Sequence, residues 1–170
     1  NYHCTASIGI TLFGAHSTNV DELLKQADLA MYQAKDSGRN AIRFFDPEMQ
    51  AAITSRVALE ADLREAVEAG QFQLYYQPQV VGESHRLTGA EALLRWHHSR
   101  RGMVPPSEFI PLAEETGLIL PLGQWVLETA CAQLATWASQ PEMAQLTVAV
   151  NVSAHQIRQT DFVDQVLAVL

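Results

Sequence analysis

The 170-residue chain has few cysteines, little positive charge and no long apolar run. Its two cysteines, Cys4 and Cys131, lie far apart and form no Cys-x-x-Cys pair. That spacing fits a reducing cytosol and ordinary packing, and it argues against a disulfide framework. Eleven Lys and Arg stand against 19 Asp and Glu, for a formal net charge of −8. This balance excludes a general binder of nucleic-acid polymers, which carries a basic footprint, but leaves room for a phosphate ligand held by a few local arginines. No apolar run approaches the ~20 residues of a membrane helix, and no secretory signal is visible. The domains are therefore expected to be cytoplasmic, with any membrane anchor elsewhere in a longer protein. The chain begins at Asn1 and enters a strand-like run at once, so it reads as an excerpt.

What is present is enough apolar residue, 48%, to bury a core. "CTASIGITLFG" (4–14) predicts a buried strand. Asn19 and Glu22 have capping-box spacing and open a helix that Gly38 ends. "NAIRFFD" (40–46) predicts a short strand, and Asp46-Pro47 starts a helix running to Ala69 and stopped by Gly70. The weak apolar face from Glu48 to Ser55 marks a domain boundary across residues 47–58. Beyond it come strands at "FQLYYQPQV", "LTGAEALLRW" and "LTVAVNVS". Helices are expected at "EFIPLAEETG", at Pro121–Ser139 and from Asp161. Pro78 points to an edge or a strand end. Strands separated by helices predict a parallel α/β sheet or barrel.

Alternation sorts the chemistry. Along Leu87–Trp96, one face carries Leu87, Gly89, Glu91, Leu93 and Arg95, and the other carries Thr88, Ala90, Ala92, Leu94 and Trp96. Along Leu146–Ser153, Asn151 falls on the small, polar face, and the valines on a face expected under helices. A glutamate in an apolar strand needs compensation. Mg²⁺, which takes carboxylate and amide oxygens, suits Glu91 with Asn151. Arg95 suits a phosphate. Four extended residues span about 13 Å, so a ligand touching both the Glu91 metal and Arg95 has to be long, of dinucleotide size.

The same residues admit plainer readings. Glu91 and Arg95 could pair with other charges, and Asn151 could be a hydrogen-bonded structural residue. Lys35 and Arg39, one turn apart at a helix end, could contact phosphate or simply favour the helix dipole. His97, His98, Arg100 and Arg101 read as an ordinary solvated loop rather than a metal site.

Two resemblances rest on these motifs. "YYQPQV", "GAEALLRW", "VPPSEFIPLAEETGLI" and "AVNVSAHQI" occur in the order of the EAL family, cyclic di-GMP phosphodiesterases with a TIM-like (β/α)8 barrel. "TASIGIT" with "DELLKQADLAMYQAKDSGRNAIRFF" resembles the last part of a GGDEF domain, an α+β fold of the diguanylate cyclase family. The resemblance implies 1–46 as the C-terminal part of a GGDEF domain, 47–58 as a linker helix and 59–170 as the N-terminal part of an EAL barrel. It implies Glu91 and Asn151 as ligands of a catalytic Mg²⁺ or Mn²⁺, and Arg95 as holding a substrate phosphate. Gln77 and Leu93 would line the dinucleotide pocket, and Lys35 and Arg39 would contact GTP phosphates in the cyclase-like part.

The implied reaction is hydrolysis of cyclic di-GMP to linear pGpG. The alternative is a non-catalytic cyclic di-GMP receptor. The GGDEF signature would precede residue 1, and further acidic ligands and a lysine of the barrel would follow Leu170. The excerpt is therefore expected to be inactive by itself, and to self-associate through uncovered strand edges.

Overall fold

The computed structural model describes residues 5–14, 19–82 and 86–170. The chain forms two compact units, Asn1–Ala58 and Leu59–Leu170.

In the first unit, β1 (Ile8–Ile10) and β2 (Ile42–Phe44) pair in parallel, connected through α1 (Val20–Asp36). Ala30 and Ala34 of α1 are fully buried. The buried strand expected over 4–14 is corrected. Cys4 lies outside the described residues, the strand is three residues long, and Leu12 and Phe13 are 80% and 72% exposed. Ile42 and Phe44 are also exposed, because this sheet has only two strands among the described residues. Asn19 caps α1 as expected, but its side chain accepts from Asp21 N–H. The helix ends at Asp36. Gly38 (φ 107°) then turns the chain, and Arg39 N–H donates to the Ala34 carbonyl, the six-to-one bond of a Schellman end. Arg39 thus sits in the left-handed region (φ 61°), outside the helix and not on a helical turn with Lys35.

Helix α2 (Pro47–Ala69) has the expected bounds. Asp46 accepts from Glu48 N–H at 2.9 Å, and Pro47 fills the first helical position, where its missing donor is harmless.

The second unit is built on β4 (Arg86–His98). β3 (Phe72–Val81) pairs antiparallel along one edge of it, from Phe72↔Trp96 to Val81↔Arg86, with a register shift at Gln79/Val80. The other edge is shared. β6 (Thr147–Val150) pairs in parallel with Gly89–Ala92, and β5 (Gly102–Val104) pairs antiparallel with Trp96–His98. Leu93–Arg95 fall between these two partners, a gap the site uses.

The sheet is mixed: the β4–β6 pair is parallel, as a partial α/β barrel requires, while β3 and β5 pair antiparallel with β4. Among the described residues of the second unit, only the β4-to-β6 connection carries helices, α3 (Pro106–Thr116) and α4 (Ile119–Ala138), and only that strand pair is parallel. The connection from β3 to β4 is short and can close only an antiparallel hairpin. β5 was expected as loop, and its three residues are too few to show alternation. Helix α4 starts two residues before Pro121, which falls in the first turn, where helix N–H groups have no intrahelical acceptor. Two further helices, α5 (Ala154–Ile157) and α6 (Phe162–Val169), complete the chain.

The core lies under the helix-facing side of β4. Phe72, Trp96 and Phe109 meet with ring centroids 5.6–5.8 Å apart, surrounded by Leu59, Leu63 and Ala66 of α2 and by Leu112 and Leu122. Trp96 is fully buried, and its indole N–H donates to Gln71 Oε1 at 3.3 Å. Burial of aromatic surface on this scale is the main stabilising contribution. Among the described residues, no helix is long and apolar enough to cross a membrane.

Candidate functional site at the β4 and β6 edge

The alternation in β4 holds. Ala90, Ala92 and Trp96 are buried against the helices, while Glu91, Leu93 and Arg95 are half-buried on the other face. Register brings β3 side chains beside them: Gln77 opposite Glu91, Tyr75 opposite Leu93, and Gln73 opposite Arg95. On the far edge, Ala149 is the partner of Glu91, so Asn151 follows two residues later with the same side-chain parity.

Asn151 Nδ2 donates to Glu91 Oε1 at 2.7 Å, a charge-assisted bond between residues 60 apart in sequence. This bond provides part of the compensation that a carboxylate in an apolar strand needs. Arg95 is held close to the strand: Nη1 donates to the Leu94 carbonyl at 2.8 Å, and its guanidinium carbon lies 5.7 Å from the Tyr75 ring centroid. The Tyr75 hydroxyl lies 3.4 Å from His97 Nε2. Gln77 is exposed beside Glu91.

A cavity of about 300 Å³ opens in the gap that β5 and β6 leave on β4. Leu93, Arg95, Asn151, Ser153, Glu114 and Gln156 supply its edges, over an apolar floor. Glu114, Ser153 and Gln156 are residues that sequence reasoning missed. Ser153 and Gln156 form the capping box of α5, and their three-residue spacing was a usable signal. Nothing in the spacing connected Glu114 to them.

Glu91 and Asn151 are oxygen-bearing side chains of the kind a hard cation takes, two against the six to eight ligands such ions need. The Asn151 amide turns its NH₂ towards Glu91, so sharing one ion requires the amide to rotate. Among the described residues, no group of three His, Cys, Asp or Glu could hold a metal ion.

The other end of β4 corrects the expectation of a solvated loop. His98 and Asp62 are 6% and 9% exposed. Arg101 Nε donates to Asp62 Oδ2 at 2.8 Å and Arg100 Nη2 to Oδ1 at 3.0 Å, while His98 Nε2 lies 3.4 Å from Oδ2. His98 Nδ1 accepts from the backbone N–H groups of Arg100 and Arg101, which places the imidazole proton on Nε2. The hydrogen bond from Arg101 holds the Asp62 carboxyl below its ordinary range; burial opposes this, and the charges of Arg101 and Arg100 add to it.

In the first unit, Lys35 lines an open hollow with Asp21, Lys25, Asp28 and Tyr32, whereas Arg39 lies in the turn after α1. Arg39 is not among the residues that line this hollow.

Against known proteins, the family model for the EAL domain matches residues 60–170, and the model for the diguanylate cyclase GGDEF domain matches residues 1–41. The bifunctional diguanylate cyclase/cyclic di-GMP phosphodiesterase MucR of Pseudomonas aeruginosa is 44% identical over 162 residues, 95% of this chain and 24% of that protein. The cyclic di-GMP phosphodiesterase PdeR of Escherichia coli is 40% identical over 157 residues, 91% of this chain and 23% of that protein. The solved PaMucR phosphodiesterase in complex with cyclic di-GMP superposes with a TM-score of 0.64 at 44% identity, over 66% of this chain and 45% of that one. The chain thus spans about a quarter of the length of these sequence relatives.

Proposed function

The chain belongs to the EAL domain family, with a GGDEF segment before the EAL segment, and on that footing we propose that the whole protein hydrolyses cyclic di-GMP to linear pGpG. The observation that carries this reading is the Asn151–Glu91 hydrogen bond, which joins two strands at one point on the face that also bears Arg95. Names of relatives support it, since MucR and PdeR are cyclic di-GMP phosphodiesterases.

In this reading Glu91 and Asn151 hold Mg²⁺ or Mn²⁺, in keeping with the metal dependence of the family. Bound there, the ion would polarise a phosphoryl oxygen and lower the pKa of the attacking water. Arg95, already oriented by Leu94 and Tyr75, presents a guanidinium to a phosphate. Gln77 and Leu93 border the dinucleotide. Residues 47–58 are the linker between the segment 1–46 and the barrel segment 59–170. Lys35 and Arg39 serve GTP phosphates in the cyclase-like part only if neighbouring structure brings them together. The domains work in the cytoplasm. The exposed Val80 and Val81 on the outer strand β3 favour self-association, which light scattering checks.

The full-length protein is expected to convert cyclic di-GMP to pGpG with Mn²⁺, and the 170-residue polypeptide to show no turnover. Absence of hydrolysis by the full-length protein would sink the proposal. The alternative is a non-catalytic receptor for cyclic di-GMP. Tight binding of cyclic di-GMP without turnover would establish it instead.

A further inference from the structure

Asn151 is exposed and lies beyond the last residue of β6, so sheet pairing does not fix it. Its segment is fixed two residues later. Ser153 Oγ donates to Glu114 Oε1 of α3 at 2.5 Å, the length of an O–H to carboxylate bond. The same hydroxyl accepts from His155 N–H at 3.2 Å, and Ser153 N–H donates to Gln156 Oε1 at 3.1 Å. Gln156 is buried and seated on α4 at Gly123, where a methyl group would overlap its side-chain amide. The three residues from Asn151 to Ser153 are therefore tied to β4 at one end and to α3 and α4 at the other.

We propose that Glu114 is a positioning residue: through Ser153 it holds the Asn151 amide in register with Glu91, so that the two bind one metal ion. The inference rests on the metal role assigned above to Glu91 and Asn151. An untethered segment at Asn151 would sample many orientations, and ordering it at the moment of metal binding would cost affinity. Glu114 and Ser153 remove that cost beforehand. The hydroxyl acts as a donor to Glu114 and as an acceptor from His155 N–H, so neither a methyl at 114 nor a methyl at 153 reproduces the arrangement. Such supporting partners of metal ligands typically change affinity or activity by about 10- to 100-fold.

The test uses the full-length protein and two independent readouts, Mn²⁺ titration by electron paramagnetic resonance without substrate, and steady-state hydrolysis. Glu114→Ala and Ser153→Ala are expected to weaken Mn²⁺ binding and to lower kcat, each by about tenfold or more. KM for cyclic di-GMP and Tm should stay near wild type. Ser153→Thr, which keeps the hydroxyl, should restore both quantities. Unchanged Mn²⁺ affinity in both variants overturns the proposal, as does a loss that only follows a fall in Tm or that threonine does not restore. A wild-type protein that takes up no Mn²⁺ also overturns it. If Mn²⁺ binding responds as expected but no variant, wild type included, hydrolyses the dinucleotide, the positioning role stands and the phosphodiesterase reading fails. Normal hydrolysis in every variant has the opposite meaning.

Discussion

Two places on β4, its His98 end and its middle at Glu91, each hold a carboxylate and are settled in opposite ways. At the His98 end, one carboxylate, Asp62, is buried and meets two guanidinium groups and an imidazole. Around Glu91, one carboxylate is half-buried and, among the described residues, receives one side-chain donor, the Asn151 amide. The first arrangement leaves no acceptor capacity to speak of and ties α2 to the turn after β4. The second leaves acceptor capacity on a face next to an arginine and a cavity. A carboxylate that the fold satisfies is structural, and one that the fold aligns but leaves underpartnered is available to a ligand.

The sharpest way to break this comparison is to remove each carboxylate in turn. In the full-length protein, Glu91→Ala should reduce hydrolysis to background while Tm stays unchanged; a variant with normal turnover would end the metal-ligand assignment. Asp62→Ala should do the reverse. It leaves His98 and Arg101 without their partner and is expected to cost about 1–3 kcal/mol, less than a fully buried pair because Arg100 is largely in solvent. Chemical denaturation measures it, and a loss of activity without a loss of stability would place Asp62 in the site instead.

Arg95→Lys tests whether the guanidinium plane matters. Lysine keeps the charge but loses the fork and the flat contact with Tyr75, so affinity for cyclic di-GMP should fall by about tenfold. Equal affinity by calorimetry would mean that Arg95 acts only as a charge.

The smallest effect is on acid stability. The folded-state pKa of Asp62 is lowered from its ordinary 3.8. A lowered carboxylate contributes stability that is fully present above the unfolded value and is lost as pH falls through the folded one. The Tm difference between wild type and Asp62→Asn should therefore be constant above about pH 5 and close below about pH 4. A difference that persists unchanged at pH 2 would show that packing, not charge, dominates there.

Particular residues show how much was legible beforehand. The period-two pattern of "GAEALLRW" separated Ala90, Ala92 and Trp96 from Glu91, Leu93 and Arg95, and the fold keeps that separation. Asp46-Pro47 and Gly70 bounded α2 because caps act through local hydrogen bonds and local φ. β5 was not legible, since three residues show no period. Nor was the antiparallel pairing of β3, which a short connection imposes. His98 looked solvated because its neighbours are charged, and its partner Asp62 lies on another element.

What the sequence by itself determined is local: element periodicity, caps, the two faces of β4 and the motifs of the EAL and GGDEF families. What only the tertiary structure decided is which distant residues meet. Asn151 reaches Glu91 because β6 pairs with β4 in one parallel register, and a one-residue slip would turn it to the other face. Glu114 reaches Ser153 because α3 and the end of β6 flank the same gap in the sheet. Periodicity is a property of neighbours in the chain, whereas register and helix packing are settled by burying the shared core of Phe72, Trp96 and Phe109.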